Sequence, residues 1–216
     1  ALPFRLTASQ HQALAEIDAD MADEGRMLRL LQGDVGSGKT VVALIAMLKA
    51  VECGGQAALM APTEILARQH FATIEPLLEK AGLKAAVLTG RDKGAARKEV
   101  LAGLADGSIA IVVGTHALFQ KDVDFHDLML AVIDEQHRFG VHQRLTLTAK
   151  GRGVDTLVMT ATPIPRTLLL TSFGDMDSSR LTEKPAGRKP IATRTLPIAR
   201  SEEVIAGISR ALQTGA

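Results

Sequence analysis

Short runs dominated by apolar residues punctuate this chain, each separated from the next by a longer amphipathic stretch. Residues 27–32, 56–61, 85–88, 109–113, 128–133 and 154–159 show little alternation of apolar and polar positions. Strands of that kind are buried on both faces, as in a parallel sheet. The intervening stretches carry helical spacing. Thr7-Ala8-Ser9-Gln10 has capping-box spacing, and Ala13, Leu14, Ile17 and Met21 come after it on one face. Residues 41–51, 64–80 and 93–104 read as further helices, with Pro76 expected to end or kink the middle one. Residues 164–172 suggest a short helix, and 201–213 another, capped by Ser201. The pattern predicts an α/β fold with a mostly parallel sheet and helices on both faces.

The segments just after the strands carry the candidate chemistry. Gly33-Asp34-Val35-Gly36-Ser37-Gly38-Lys39-Thr40 fits the phosphate-loop pattern G-x-x-x-x-G-K-[ST] between a strand and a helix. Glycines let backbone curl around phosphate oxygens, and N–H groups at the helix start point at the anion. Lys39 can reach the outer phosphates, and Thr40 can offer its hydroxyl to Mg²⁺. A turn that merely joined strand to helix would have no use for Lys-Thr there. Asp134-Glu135 closes the run Leu130-Ala131-Val132-Ile133, a Walker B arrangement. Asp134 would hold Mg²⁺ through water, and Glu135 would orient and deprotonate the attacking water. Pro62-Thr63-Glu64, Gly114-Thr115-His116 and Thr160-Ala161-Thr162 close three other strands. In open parallel sheets ligands bind beyond the carboxyl ends of the strands, so these segments converge on one edge.

Composition adds bounds. The chain has 216 residues, 46% of them hydrophobic, enough for a sizeable core. Formal net charge is +1, so a polyanion must be met by a local patch. The single cysteine forms no intrachain disulfide and no zinc site. His137 and His142 lack helical metal-pair spacing. His70 and His116 read as polar residues at a helix face and a sheet edge. No run reaches membrane-spanning length and no signal peptide is visible. The opening Ala1-Leu2-Pro3, without Met, reads as part of a longer protein.

The order of these segments resembles the first motor lobe of superfamily 2 helicases, a RecA-like P-loop NTPase lobe. Within it, three stretches resemble the RecG family of branched-DNA translocases: residues 31–37, Asp134-Glu135-Gln136-His137-Arg138-Phe139-Gly140-Val141 with Gln143-Arg144 after it, and Thr160-Ala161-Thr162-Pro163-Ile164-Pro165-Arg166-Thr167. The transcription-repair coupling translocases share much of this but tend to carry an aromatic where Ser37 stands. The resemblance covers residues 2 to about 196.

The resemblance implies roles. Phe4 and Gln10 match the Q-motif region, which reads adenine. Gly33 to Thr40 is motif I, and Asp134, Glu135 and His137 match motif II. Pro62, Thr63 and Arg68, with Gly114, Thr115 and His116, match motifs that touch the DNA backbone, although Arg68 also reads as a solvated helix-face residue. Thr160 and Thr162 match motif III, which couples hydrolysis to movement. ATP and Mg²⁺ are the implied cofactors, and branched or double-stranded DNA is the implied partner. The resemblance also implies a bacterial cytoplasmic, nucleoid-associated location, with no membrane. The lobe is expected over 1–180, an inter-lobe linker over 181–198, and the start of a second lobe over 199–216. The rest of that lobe, with its arginine finger, and a DNA-wedge domain are expected elsewhere in the same protein. Alone, the chain is then expected to bind nucleotide weakly and to turn it over slowly or not at all. Another P-loop enzyme class, or a nucleotide-binding module without turnover, remains open.

Overall fold

Seven parallel strands among the described residues form one sheet, in the order β3-β4-β2-β5-β6-β1-β7. The computed structural model describes residues 4–135, 153–162, 176–185, 193 and 195–213. The strands are β1 (Leu28–Gly33), β2 (Gln56–Met60), β3 (Ala85–Leu88), β4 (Ile111–Gly114), β5 (Leu128–Asp134), β6 (Asp155–Thr160) and β7 (Asp177–Leu181). The described α-helices of this unit are α1 (Ala8–Met21), α2 (Lys39–Glu52), α3 (Glu64–Lys80) and α4 (Gly94–Ala105).

The unbroken apolar runs are buried on both faces, as their lack of alternation requires. Ala57, Leu59, Val132, Leu157 and Met159 pack with residues of α1, α2 and α3. Ala58, Met60, Ala131 and Ile133 face the opposite way and pack with Leu104 of α4. The expected mixed-face α/β architecture is therefore observed, and the sheet is parallel at every described pairing.

Local signals explain where the helices begin. Thr7 caps α1 with both halves of the capping box: its hydroxyl accepts from Gln10 N, and its N–H donates to Gln10 Oε1 at 2.9 Å. Thr63 caps α3 by accepting from Leu66 N. Pro76 does not end α3, which runs on to Lys80. Pro76 and Ala72, whose carbonyl loses its intrahelical partner, are both exposed, so water can satisfy that carbonyl.

β7 was not legible in the sequence. Its residues Asp177-Ser178-Ser179-Arg180-Leu181 form no apolar run, and only Ser179 and Leu181 are buried. Its neighbour β1 and a buried cation recruit it. Arg29 Nε donates to Asp20 at 2.6 Å, and its Nη1 donates to Ser179 Oγ at 3.0 Å and Glu16 at 3.4 Å. Ser179 also hydrogen-bonds Glu16. Burial alone would lower the Arg29 pKa, but the Asp20 hydrogen bond and the charges of Asp20, Asp177 and Glu16 outweigh it and hold it above the ordinary value. The first compact unit runs to Pro185.

The second unit, 186–216, carries a 3-10 turn at Ile198–Arg200 running into α5 (Ser201–Gln213). Ser201 has helical backbone angles, so it continues the turn rather than capping the helix. Val204, Ile205, Ile208 and Leu212 share one exposed stripe of α5. The expected helix over 164–172 lies outside the described residues. Among the described residues, no helix is long and apolar enough to cross a membrane.

Truncating Arg29 to Ala would leave two partly buried carboxylates without their cation. We expect a loss of about 2–4 kcal/mol in chemical denaturation. An unchanged unfolding midpoint would show that the α1–β1–β7 brace contributes nothing.

Candidate nucleotide site

Strand register assembles this site. Gly33 of β1 lies beside Leu181 of β7, Gln32 lies opposite Thr160 of β6, and Met159 lies opposite Asp134 of β5. The ends of β5, β6, β1 and β7 thus form one continuous row. Neighbouring strands are about 4.8 Å apart, so Asp134 stands roughly 10 Å across the sheet from the phosphate loop.

Backbone geometry explains the glycines of that loop. Gly38 has φ +88°, and a Cβ there would also collide with the Gln10 amide. At Gly33 a Cβ would lie 2.6 Å from Ser37 Oγ and 2.9 Å from the Leu181 side chain. Lys39 and Thr40 open α2, where unpaired N–H groups favour an anion. Lys39 Nζ donates to the carbonyls of Gly33 at 2.6 Å and Asp34 at 3.1 Å. Burial pushes the Lys39 pKa down, against the pull of Asp134, Glu135 and Asp34. Those carboxylates therefore face the same ammonium that reaches the loop. Asp34 and Val35 lie exposed at the loop tip, Gly36 has φ 79°, and Ser37 is fully buried with no partner for its hydroxyl among the described residues. A cavity of about 200 Å³ opens beside the loop, lined by Gln32, Gly33, Asp34, Ala161, Arg180, Leu181 and Thr182.

Gln10, expected in the adenine-reading region, is engaged within the chain. It is buried, its Nε2 donates to Ser37 O at 2.8 Å, and its Oε1 closes the α1 cap. Its amide ties α1 to the phosphate loop. Phe4 is half-exposed.

Glu135 sits at φ 51°, an uncommon conformation for a residue with a side chain. Its N–H donates to Met159 O at 3.0 Å, and its Oε1 accepts from Ala161 N at 3.1 Å. Thr160 Oγ1 accepts from Thr162 N at 3.1 Å, and Thr162 O accepts from Gln32 Nε2 at 3.1 Å. The loop after β6 is thus bonded both to Glu135 and to the residue preceding the phosphate loop.

Among the described residues, no cluster of three His, Cys, Asp or Glu could hold a metal by itself. A hard divalent ion using one carboxylate plus phosphate oxygens needs no such cluster. Asp134, facing the Lys39 ammonium across the row, suits that arrangement, and Thr40 at the start of α2 adds a hydroxyl.

The other candidate contacts lie toward β2 and β4. Pro62 and Thr63 are partly exposed at the entrance to α3. Arg68 is exposed and pairs with Glu64 at 3.1 Å and Asp92 at 3.4 Å, and these partners, Glu64 first, raise its pKa. Gly114 and Thr115 are buried, and their backbone groups bond Ala61 and Leu88. A Cβ at Gly114 would collide with the Leu88 carbonyl, which accounts for the glycine on packing grounds. His116 is the exposed member of that segment. His137 lies outside the described residues.

Four participants had no role in the expectations drawn from sequence: His70, Gln32, the Ala161 N–H and β7. His70 Nε2 lies 2.8 Å from Asp134 Oδ2. A signal existed, since His70 falls on the core-facing stripe of α3 with Ala67, Ile74 and Leu78. A polar group there needs a partner.

The model of the DEAD/DEAH box helicases matches residues 7–170. The chain belongs to the DEAD/DEAH box helicase family. The chain is 53% identical over 215 residues to the ATP-dependent DNA helicase RecG of Streptococcus pneumoniae serotype 4, covering 100% of the chain and 32% of that relative. It is 48% identical over 218 residues to the protein of the same name from Escherichia coli K12, covering 99% and 32%. A structure of RecG bound to a three-way DNA junction matches with a TM-score of 0.88 and 45% identity, over 100% of this chain and 29% of that one. The helicase MrfA, at 19% identity and a TM-score of 0.69, covering 96% of this chain and 35% of its own, shares the fold. The chain spans about a third of the length of the curated relatives it matches.

The lowered Lys39 pKa has a consequence for pH. Its charge is lost on the alkaline side earlier than for an ordinary lysine at 10.5. Nucleotide affinity should therefore decline as pH rises before the ordinary lysine range is reached. Titrations with a fluorescent nucleotide across alkaline pH check this. A Lys39→Arg chain, permanently charged, should show a flatter profile.

Proposed function

We propose that this chain is the ATP-binding lobe of a RecG-type DNA helicase or translocase. The observation that carries the reading is the facing of Lys39, at the start of α2, with Asp134 and Glu135 across β1, β6 and β5. Gly33 to Thr40 cradle the phosphates, and Lys39 exchanges its bonds to the loop carbonyls for phosphate oxygens. Phe4 covers the adenine. Gln10 acts indirectly, by holding the loop through Ser37. Thr40 and Asp134 would hold the Mg²⁺ that, when bound, neutralises phosphate charge. Glu135 orients the attacking water and takes its proton, and His137 belongs to the same motif. The bond from Glu135 to Ala161 N connects that event to Thr160 and Thr162, so the state of the water-activating carboxylate is felt in the coupling loop.

Pro62, Thr63, Arg68 and His116 meet the DNA backbone, with Gly114 and Thr115 shaping the turn beneath. Hydroxyl, guanidinium and imidazole contacts to phosphate carry no sequence information, as translocation requires. Arg68 must exchange Glu64 and Asp92 for phosphate, which makes that contact salt-sensitive. A second lobe and a DNA-wedge domain of the same protein complete the motor. Its substrate is branched or double-stranded DNA in recombination and repair, in the bacterial cytoplasm.

Two variants test the assignment. Lys39→Ala should abolish nucleotide binding in calorimetric titration while the thermal unfolding of the free chain is unchanged. Glu135→Gln keeps an acceptor for Ala161 N, so in a protein with both lobes it should bind nucleotide normally and lose turnover by at least about 100-fold. Undiminished affinity in the first, or preserved turnover in the second, refutes the corresponding role.

A further inference from the structure

His70 of α3 and Asp134 of β5 are brought together by the sheet order, because α3 comes directly after β2 and β2 lies next to β5. The side chains are 15% and 12% exposed, so little water competes for the bond. The 2.8 Å separation is a hydrogen bond, and with Asp134 ionised the imidazole Nε2 must be the donor. A carboxylate at the end of a strand can otherwise rotate about its terminal torsion, which is broad and roughly two-fold. A donor fixed on a packed helix removes that freedom. Ala67, Ile74 and Leu78 of the same stripe are buried, so the imidazole is carried on an anchored face of α3.

We propose that His70 is a positioning residue for the candidate metal-holding carboxylate. By holding Oδ2 it sets the plane of Asp134 and leaves Oδ1 as the oxygen the imidazole does not occupy. The inference rests on the reading of Asp134 as a metal-site residue. It also links two regions: Thr63 and Arg68 precede His70 on the same helix, and Thr63 lies roughly 10 Å along it at 1.5 Å per residue. A displacement of the α3 entrance is thereby transmitted to Asp134.

The experiment measures binding of a fluorescent ADP analogue to the chain as a function of Mg²⁺ concentration. His70→Leu removes the donor at similar volume, His70→Asn places an amide nitrogen only as far out as Nδ1, and His70→Gln places one near Nε2. We expect the Mg²⁺ midpoint to rise about tenfold in the Leu and Asn variants and to stay near the parent value in the Gln variant. Affinity measured without Mg²⁺ should be the same in all four proteins. A merely structural histidine would not give this pattern, since lost packing weakens binding with and without the ion. If the Leu variant fails to fold, the Asn and Gln pair decides the matter. Equal midpoints in parent, Asn and Gln variants overturn the proposal while leaving the nucleotide site intact. A parent chain whose nucleotide binding ignores Mg²⁺ overturns both the proposal and the reading beneath it.

Discussion

The structure depends on the register that sets β5, β6, β1 and β7 side by side with their carboxyl ends level. Residues 33–40, Asp134-Glu135 and Thr160-Ala161-Thr162 all stand at the ends of strands in that row. The strands can stand there only because both faces are covered: α1, α2 and α3 on one side, α4 on the other. Apolar burial fixes the sheet, and the sheet fixes the distance between the cation at Lys39 and the carboxylates at Asp134 and Glu135. The chemistry is a by-product of packing in that sense.

Further bonds then tune the row. Gln10 ties α1 to the phosphate loop, Gln32 ties the strand before that loop to the segment after β6, and Glu135 ties that segment to β5. Each is a single polar contact between neighbours that the sheet has already aligned. Such contacts contribute about 1 kcal/mol each to stability, far less than the core. Their value lies in geometry: they join the ends of β1, β6 and β5. The positive φ of Glu135 is consistent with a residue whose position is dictated by these neighbours rather than by its own backbone preference.

The sheet was legible because its strands are unbroken apolar runs. Six were anticipated with boundaries within two residues of those observed, and β7 was missed because Asp177-Ser178-Ser179-Arg180 has no apolar pattern. Its place comes from pairing with β1 and from Arg29, both long-range facts. The phosphate loop was legible because local backbone demands glycine there, as Gly38 illustrates. Pro76 does not end α3, because the carbonyl it frees lies on an exposed face that water can reach. The contacts of Gln10 and His70 were not legible because each is decided by a partner far along the chain, Ser37 in one case and Asp134 in the other. Gly114 shows the converse: a motif position whose glycine the packing against Leu88 already demands.

The central claim is that these strand ends form one nucleotide site. Amide hydrogen exchange of the chain, with and without a Mg²⁺–nucleotide complex, tests it directly. The account predicts simultaneous protection at Gly33–Thr40, Asp134–Glu135 and Thr160–Thr162, with little change at the opposite edge of the sheet. Protection confined to other segments, or no protection of the phosphate loop at saturating nucleotide, would contradict it.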